Sequence, residues 1–581
     1  MLALVGWNHD HQRPPPLDHA GFTDPRVPLL VVAGTPAAAR SEILHKAHAA
    51  LEQGQKRKIV GLDGACALLA VSREADELLL AIDYLGLRPL YYVRHDGALW
   101  CATALRALAM LPRLAVRVDR DYLIRQNLRV GRTYSDAQIS GITRIRGNTL
   151  HRVGPEGPPT IIAGDPVEPL APGARARPDD ELVAALNSRV LERVDRIPRD
   201  QPLALWLSGG LDSRWISAAL SSSGRAHDLL IVGPEEDEDR ALALQYSAAR
   251  GHRGLVGDPT APETARYLSE SNWHLDATAS LFEQMVGGLW PFLRQESPRL
   301  VHGYFWDLLK WTPPVLPQRL SELGFDRLRL RSGTEPVSPF RQITGDFMEK
   351  SRMKALFPDA PGLLDEGLRR LEPQLATDHP AHAALRLSID GGPLEPFLTW
   401  GRMGCALGGS EFPLADTELV RLILETMSLP RAKRESLQAR CVVALDPRCA
   451  GRVPVHPVNV RPDVLARGGP VRSGHAVRNP AWLLGRIRQR SRMHRAPARM
   501  QLLGSPPFRM WLSRLLDHDS AAAEAFGHQN MSRFMESALA PPFSWRAVSL
   551  LYELAALELF VRSFRRAQRG STQPWVGLGP E

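Results

Sequence analysis

The string Leu205-Trp206-Leu207-Ser208-Gly209-Gly210-Leu211-Asp212-Ser213-Arg214 joins an apolar run to a helical one through two adjacent glycines. Two glycines let a backbone approach an anion closely and tolerate positive φ. Amide N–H groups and the dipole of the following helix would then face that anion. Ser208 and Ser213 add hydroxyl donors. No Gly-Lys-Ser/Thr triplet follows, so the turn suits pyrophosphate better than a γ-phosphate held for transfer. A Ser-Gly-Gly turn alone is often only a tight connection. The six-residue string between a strand and a helix is what points to chemistry.

Other reactive residue types are placed less tellingly. The five cysteines, Cys66, Cys101, Cys405, Cys441 and Cys449, form no CxxC pair and have no histidines nearby at metal-site spacing. That argues against a zinc site or a disulfide framework and for a reducing, cytoplasmic setting. A basic cluster from Arg486 to Arg499 reads either as an exposed loop or solvated helix, or as a site for a phosphate or an acidic peptide.

The elements that must position the turn are legible around it. Residues 202–207 form a nearly continuous apolar run, as a buried parallel strand does. A helix over 215–220, a strand over 229–232 and a helix over 240–250 follow. This alternation predicts a doubly wound α/β unit. Acids at Asp179 and Asp180 open a helix over 181–194. Residues up to about 165 are β-rich, with short apolar runs broken by Gly, Pro and Asp. The Pro/Gly-rich segment 154–178 reads as a linker. The chain to about 440 is mostly helical, and an amphipathic helix spans 545–566. At 581 residues, 44% hydrophobic and 23% charged, the chain suits several globular domains. The net charge of +9 favours phosphate-bearing or acidic partners, although Arg outweighs Lys strongly enough to be a compositional habit. The N-terminus lacks a basic n-region, and no run of about 18 apolar residues occurs. Neither a signal peptide nor a membrane span is expected.

At the Ser208–Ser213 string the sequence resembles the asparagine synthetase-like ATP pyrophosphatases, over most of its length. The family's first half is a glutamine-hydrolysing domain of N-terminal-nucleophile type. Its strands are similar to Gly61–Leu68, Asp83–Tyr92 and Gly97–Leu108 here, with a final strand and turn at 141–148. In the second half, Glu236–Ala241 resembles the acidic start of the helix after the nucleotide-binding strand. His302–Asp307 resembles the Gly-x-Gly-x-Asp-Glu segment that helps hold magnesium pyrophosphate. Pro413–Asp416 resembles the Pro-Phe-Leu-Asp box, and Ser428-Leu429-Pro430 the Leu-Pro that ends a helix. The implied fold is mixed α/β and α+β: a β-rich sandwich over 1–165, a linker at 166–178, and an adenine nucleotide α-hydrolase-like doubly wound domain with helical additions over 179–581.

Departures from the family pattern carry as much meaning. The glutaminase nucleophile, a cysteine at position 2, is replaced by Leu2, followed by Ala3. Neither can attack an amide, so glutamine hydrolysis should be absent. Phe305 and Leu308 replace a glycine and the glutamate of the later segment, and Asp307 remains as the metal-facing carboxylate. Lys433 is the lysine nearest the position of the family's catalytic one, with Arg452 and Arg461 as alternatives.

The resemblance implies ATP and Mg²⁺, an acyl-adenylate, and an amine that attacks it. Ser208–Ser213 would bind pyrophosphate, Val232 and Gly233 would line the adenine side, Asp212 and Asp307 would hold Mg²⁺, and Lys433 would stabilise the intermediate. A dead glutaminase half, the length and the basic balance favour the lasso-peptide macrocyclases. In these a precursor peptide's N-terminal amine closes on an Asp or Glu side chain, and partners include a leader-processing protease and a leader-binding protein. An ammonia- or amine-using amidotransferase and a β-lactam-type synthetase are the alternatives. A nucleic-acid-modifying enzyme is disfavoured, because no cysteine has a suitable setting.

Overall fold

The computed structural model describes residues 4–7, 21–22, 29–33, 45–163 and 177–304 with short breaks, 400–467 with short breaks, and 503–569 apart from 504 and 540–544. Three sheets organise them. The strands are β1 (Leu4–Trp7), β2 (Gly21–Phe22), β3 (Leu29–Ala33), β4 (Ala67–Ser72), β5 (Glu77–Ile82), β6 (Tyr91–His95), β7 (Ala98–Ala102), β8 (Thr143–Arg144), β9 (Leu150–Val153), β10 (Thr160–Ala163), β11 (Leu203–Trp206), β12 (Asp228–Val232), β13 (Gly254–Gly257), β14 (Arg299–His302) and β15 (Ser410–Glu411).

The first ten strands make two antiparallel sheets, ordered β1-β7-β6-β8 and β10-β9-β5-β4-β3-β2. Strand period explains why β4 and β5 read as continuous apolar runs. Ala67, Leu69, Leu78, Leu80 and Ile82 point between the sheets, where Tyr92, Leu99 and Cys101 meet them. Leu68, Ala70, Leu79 and Ala81 point outward, under a helical stretch at 45–50 and α1 (Lys56–Val60). A sheet covered on both faces has no need of polar alternation. Each fully buried leucine contributes roughly 1.5–3 kcal/mol.

The outer face of the four-stranded sheet is covered from far along the chain. Tyr91, Val93 and Ala102 share a core with α5 (Leu268–His274) and with the last helices, α9 (Pro506–Leu515), α10 (Ala521–Phe526), α11 (His528–Ala538) and α12 (Trp545–Gln568). The expected division of the chain groups residues 503–569 with the second half, yet their apolar side is buried against the first. The result is a stack of helix, sheet, sheet and helix.

The remaining strands form one parallel sheet, ordered β13-β12-β11-β14-β15. One face packs on α2 (Asp179–Asp195), α3 (Leu211–Ser222), α4 (Glu238–Arg250), α7 (Thr417–Glu425) and α8 (Arg431–Leu445). The other carries α6 (Leu289–Glu296) and the helical residues 400–404. Helices on both faces make the sheet doubly wound, as the alternation predicts. The order reverses between β11 and β14. In such sheets ligands bind outside the carboxyl ends of the strands at that switch point. Among the described residues no helix is long and apolar enough to cross a membrane.

Two polar clamps tie the parallel-sheet half to the sandwich. The buried Asp276 carboxylate accepts the backbone N–H of Leu105 and of Arg106, each at 3.0 Å, and pairs with the Arg106 guanidinium at 3.1 Å. Arg402 donates to Gly86 O at 3.4 Å.

Candidate active site

The turn 208–210 leaves β11 at the switch point, and α3 starts at Leu211. The turn is braced from within. Ser208 N–H donates to Ser213 Oγ at 3.1 Å, Gly210 N–H to Ser208 Oγ at 3.2 Å, and the two hydroxyls lie 3.1 Å apart. Gly209 N–H donates to Asp239 Oδ1 at 3.0 Å. The amides of 208, 209 and 210 are thus engaged by side chains. The donors left for an anion come one step later, in the first turn of α3. Gly210 is the N-cap and offers no side-chain cap, so the Leu211, Asp212 and Ser213 amides start a helix with no intrahelical acceptor. The dipole end adds to them.

The glycines serve closeness more than backbone sign. Gly210 has φ −80°, open to any residue. At Gly209 a Cβ would stand 3.0 Å from Asp239 Oδ1 and 3.1 Å from Asp239 O, so the room is taken by α4. A third glycine completes the site from β14. A Cβ on Gly303 would fall 2.6 Å from Ser213 Cα and 2.7 Å from Ser213 N. The end of β14 therefore lies directly on the start of α3.

Asp212 is buried, and Gln438 of α8 donates Nε2–H to its Oδ1. A carboxylate held this way is of the right kind for Mg²⁺, which takes one or two carboxylates together with phosphate oxygens and water. Among the described residues no group of three or more His, Cys, Asp or Glu side chains gathers as a metal site. Asp307, the second expected ligand, and Phe305 and Leu308 beside it lie outside the described residues, as do Ser428–Pro430 and the basic cluster 486–499.

Arg214, one residue past the motif, is fully buried. It donates Nη1–H to Val453 O at 2.8 Å and Nη2–H to Pro454 O at 2.6 Å, with its guanidinium 5.1 Å from the Tyr246 ring. This clasp fixes the segment after α8 against α3. Arg452, exposed, immediately precedes the two clasped carbonyls. Lys433 lies elsewhere on α8, half exposed, with its ammonium 3.5 Å from Asp179 at the start of α2. Arg461 pairs with Asp463 at 3.4 Å and donates to Gly451 O at 3.0 Å.

Val232, expected to line an adenine, ends β12. Gly233 N–H donates to Gly257 O at 3.0 Å, and Gly233 O accepts Arg240 Nη1–H at 2.9 Å, so both backbone groups of Gly233 are engaged. The acidic stretch 236–241 does start a helix. Asp237 caps α4, and Asp239 reaches back to the turn. In the 413–416 box, Asp416 caps α7 through Leu419 N–H at 3.0 Å and accepts both Arg189 Nε–H and Nη2–H, at 2.8 and 2.6 Å. Burial pushes this carboxyl up, but the Arg189 and Leu419 donors outweigh it and hold it below the usual carboxylate range. Cys66, Cys101 and Cys441 are buried and outside any disulfide, and burial pushes the Cys101 thiol up to about 12, far from a reactive thiolate.

Residues 37–110 match the glutamine amidotransferase domain. This stretch holds β4 to β7, where the sequence resemblance to a glutaminase half was read. Two curated proteins are similar to parts of the chain. Amidase chry2 of Gibberella zeae is 30% identical over 165 residues, 28% of this chain and 24% of that protein. Amidase chyE of Penicillium rubens is 30% identical over 249 residues, 39% of this chain and 34% of that protein. The chain thus spans about a quarter to a third of the length of these relatives. Among solved structures, glutamine phosphoribosylpyrophosphate amidotransferase from B. subtilis overlaps 42% of this chain and 48% of its own at 13% identity, with a TM-score of 0.17. The domain match and the names of the relatives support an enzyme of amide chemistry.

Sequence reasoning found the turn but missed Gln438, Arg214, Asp239 as a brace, and Gly303 as a contact. Gln438 and Asp212 are 226 positions apart, and no local pattern joins them. Gly303 was readable as part of a motif, though not as the place where β14 touches α3. Arg214 adjoins the motif, and an arginine inside an apolar helical run is the one signal that could have flagged a buried clasp.

Proposed function

We propose that this protein forms an amide bond with ATP through an acyl-adenylate, without hydrolysing glutamine. The observation that carries the reading is the turn Ser208–Ser213, set at the switch point of a parallel sheet with the uncapped start of α3 behind it. A substrate carboxylate attacks the α-phosphate of ATP, and pyrophosphate departs onto the Leu211–Ser213 amides and the Ser208 and Ser213 hydroxyls. Asp212 would hold Mg²⁺, which would supply positive charge beside the departing pyrophosphate. Gln438 keeps the Asp212 carboxylate in place, and Gly303 keeps the turn at a fixed height above β14. An amine then attacks the acyl carbon and releases AMP. Of the basic residues near the site, Arg452 is the one whose neighbouring carbonyls are clasped to α3, and we assign it the charge that stabilises the second step. Lys433, engaged with Asp179, is the weaker candidate.

The described cysteines Cys66, Cys101 and Cys441 are all buried, which supports a nitrogen source other than glutamine. In its sharpest form the reading is ring closure of a lasso precursor peptide, an N-terminal amine attacking an activated Asp or Glu side chain. An amine within the same substrate has a large entropic advantage over a free one. The match of 37–110 to a glutamine amidotransferase domain keeps a second reading, an amidotransferase fed by ammonia or another small amine. Incubation with ATP, Mg²⁺ and acidic peptides, read by mass and AMP release, separates them. Loss of one water per peptide supports ring closure, a gain of amine mass supports the second reading, and exchange unaffected by Asp212→Ala rules out both.

A further inference from the structure

Two indoles buried on opposite faces of the parallel sheet differ in their hydrogen bonding. On the α3 face, Trp215 Nε1–H donates to Asn187 Oδ1 at 2.7 Å, and Asn187 Nδ2 donates in turn to Cys441 O at 3.2 Å. On the opposite face, Trp206 Nε1 and both ring nitrogens of His302 are buried with no hydrogen-bond partner among the described residues. Trp206 and His302 are partners in register, Trp206 ending β11 and His302 ending β14. They therefore stand side by side on one face at the carboxyl ends of the two strands that flank the switch point.

This pair sits in an aromatic frame. The His302 ring stacks on Phe412, centroids 4.3 Å apart and planes within 10°. Trp206 meets Trp400 edge-on at 4.4 Å. A sequence that satisfies the indole on one face and leaves three nitrogens unsatisfied at a ligand-binding position has a group to receive there. The group's chemistry follows from the donor set. Burial pushes the His302 imidazole down to about 3, so it is neutral and presents one N–H and one lone pair. With the indole N–H, the patch offers two donors and one acceptor and no charge. A carboxylate or phosphate would find no counter-charge there. A planar neutral group that both donates and accepts would be matched.

Resting on the reading above, we propose that Trp206 and His302 form a subsite for an amide group of the acyl substrate, so that the activated carboxylate belongs to a peptide-like molecule. A nucleobase edge has similar chemistry, but the nucleotide is assigned to the β12 side of β11, whereas His302 lies on the β14 side.

The test uses two probes of equal carboxylate chemistry: N-acetylglutamic acid N-methylamide, with an amide on either side, and glutarate, with none. Binding to the full-length protein is measured by calorimetry, with and without a magnesium complex of a non-hydrolysable ATP analogue. The amide probe should bind at least tenfold more tightly than glutarate. That preference should fall toward one in His302→Phe and Trp206→Phe, which keep the aromatic frame, while affinity for the nucleotide analogue stays within twofold. Equal binding of the two probes to the unaltered protein overturns the proposal without any variant. So does a preference that survives both substitutions, which leaves ordered water as the occupant, or a loss confined to the nucleotide analogue, which assigns the patch to the base. Failure of the analogue to bind the unaltered protein counts against the adenylation reading, while the probe comparison without nucleotide still decides the subsite.

Discussion

Gln438 Nε2–H donates to Asp212 Oδ1, so a side chain from α8 holds the carboxylate of the Ser208–Ser213 turn. Groups that orient a metal-binding carboxylate typically matter 10- to 100-fold. Gln438→Leu should therefore lower ATP–pyrophosphate exchange by about that factor and raise the Mg²⁺ concentration needed, with folding retained. A magnesium titration that overlays the unaltered protein would sink the assignment.

The contact between β14 and α3 gives a sharper case. Gly303→Ala places a Cβ 2.6–2.8 Å from backbone atoms of Ser213 and Asp212, and backbone cannot swing away as a side-chain tip can. The expected cost is about 1–3 kcal/mol in urea unfolding, with exchange activity lost. Gly451→Ala, where a Cβ meets nothing within 4 Å, is the control and should be close to neutral.

Asp416 joins a helix cap to a bidentate ion pair with Arg189 and has a side chain with 0% exposure. Asp416→Ala leaves Arg189 without its buried partner and α7 without its cap, for a loss of about 3–5 kcal/mol. Asp416→Asn keeps an acceptor for Leu419 N–H and should lose less. Equal losses in the two variants, read from denaturant midpoints, would mean that the cap acceptor contributes nothing and the charge carries the whole effect.

Several buried imidazoles shape the pH response, and His227 is the one whose two hydrogen bonds fix its tautomer. His227 donates Nδ1–H to Arg225 O at 2.9 Å, which leaves Nε2, 3.1 Å away, to accept from Ser217 Oγ. Burial pushes this imidazole down to about 4. Below about 6.5 the unfolded chain takes up a proton that the folded chain refuses. Stability therefore falls as pH drops from about 6.5 to about 4 and levels off below, by at most ~1.4 kcal/mol per pH unit from this group. Unfolding free energies at pH 7.5, 5.5 and 4.5 should decline less steeply in His227→Gln. Parallel declines would remove His227 as the cause.

Because the proposed reaction takes no nitrogen from glutamine, glutamine should give no glutamate above a no-enzyme control. Ammonium salts or an amine-bearing peptide should support AMP formation under the same conditions. Glutaminase activity at any useful rate would contradict the reading of the first half as inactive.

The strand–turn–helix around 203–222 could be read from the chain because its signals are local: an apolar run, two glycines, and a helix without breakers. The same holds for α2 and α4, whose acidic first turns mark their starts. What could not be read is what lies far apart in sequence. The reach of Gln438 to Asp212, the seat of Gly303 on Ser213 and the pairing of Trp206 with His302 all depend on the sheet order β12-β11-β14, which hydrophobic period alone does not specify. The glycines of the turn were expected for positive φ as well as for close approach. The second reason holds at Gly209, while Gly210 needs no special backbone.

The last helices cover the outer face of the four-stranded sheet, more than 400 positions after the strands they protect. During synthesis Tyr91, Val93 and Ala102 must wait, uncovered on that side, until nearly the whole chain has emerged. Assembly therefore cannot run to completion from front to back, and closing so long a loop delays the final packing. A fragment ending before residue 503 would carry a bare apolar sheet face, and a chaperone would meet this protein first at its beginning.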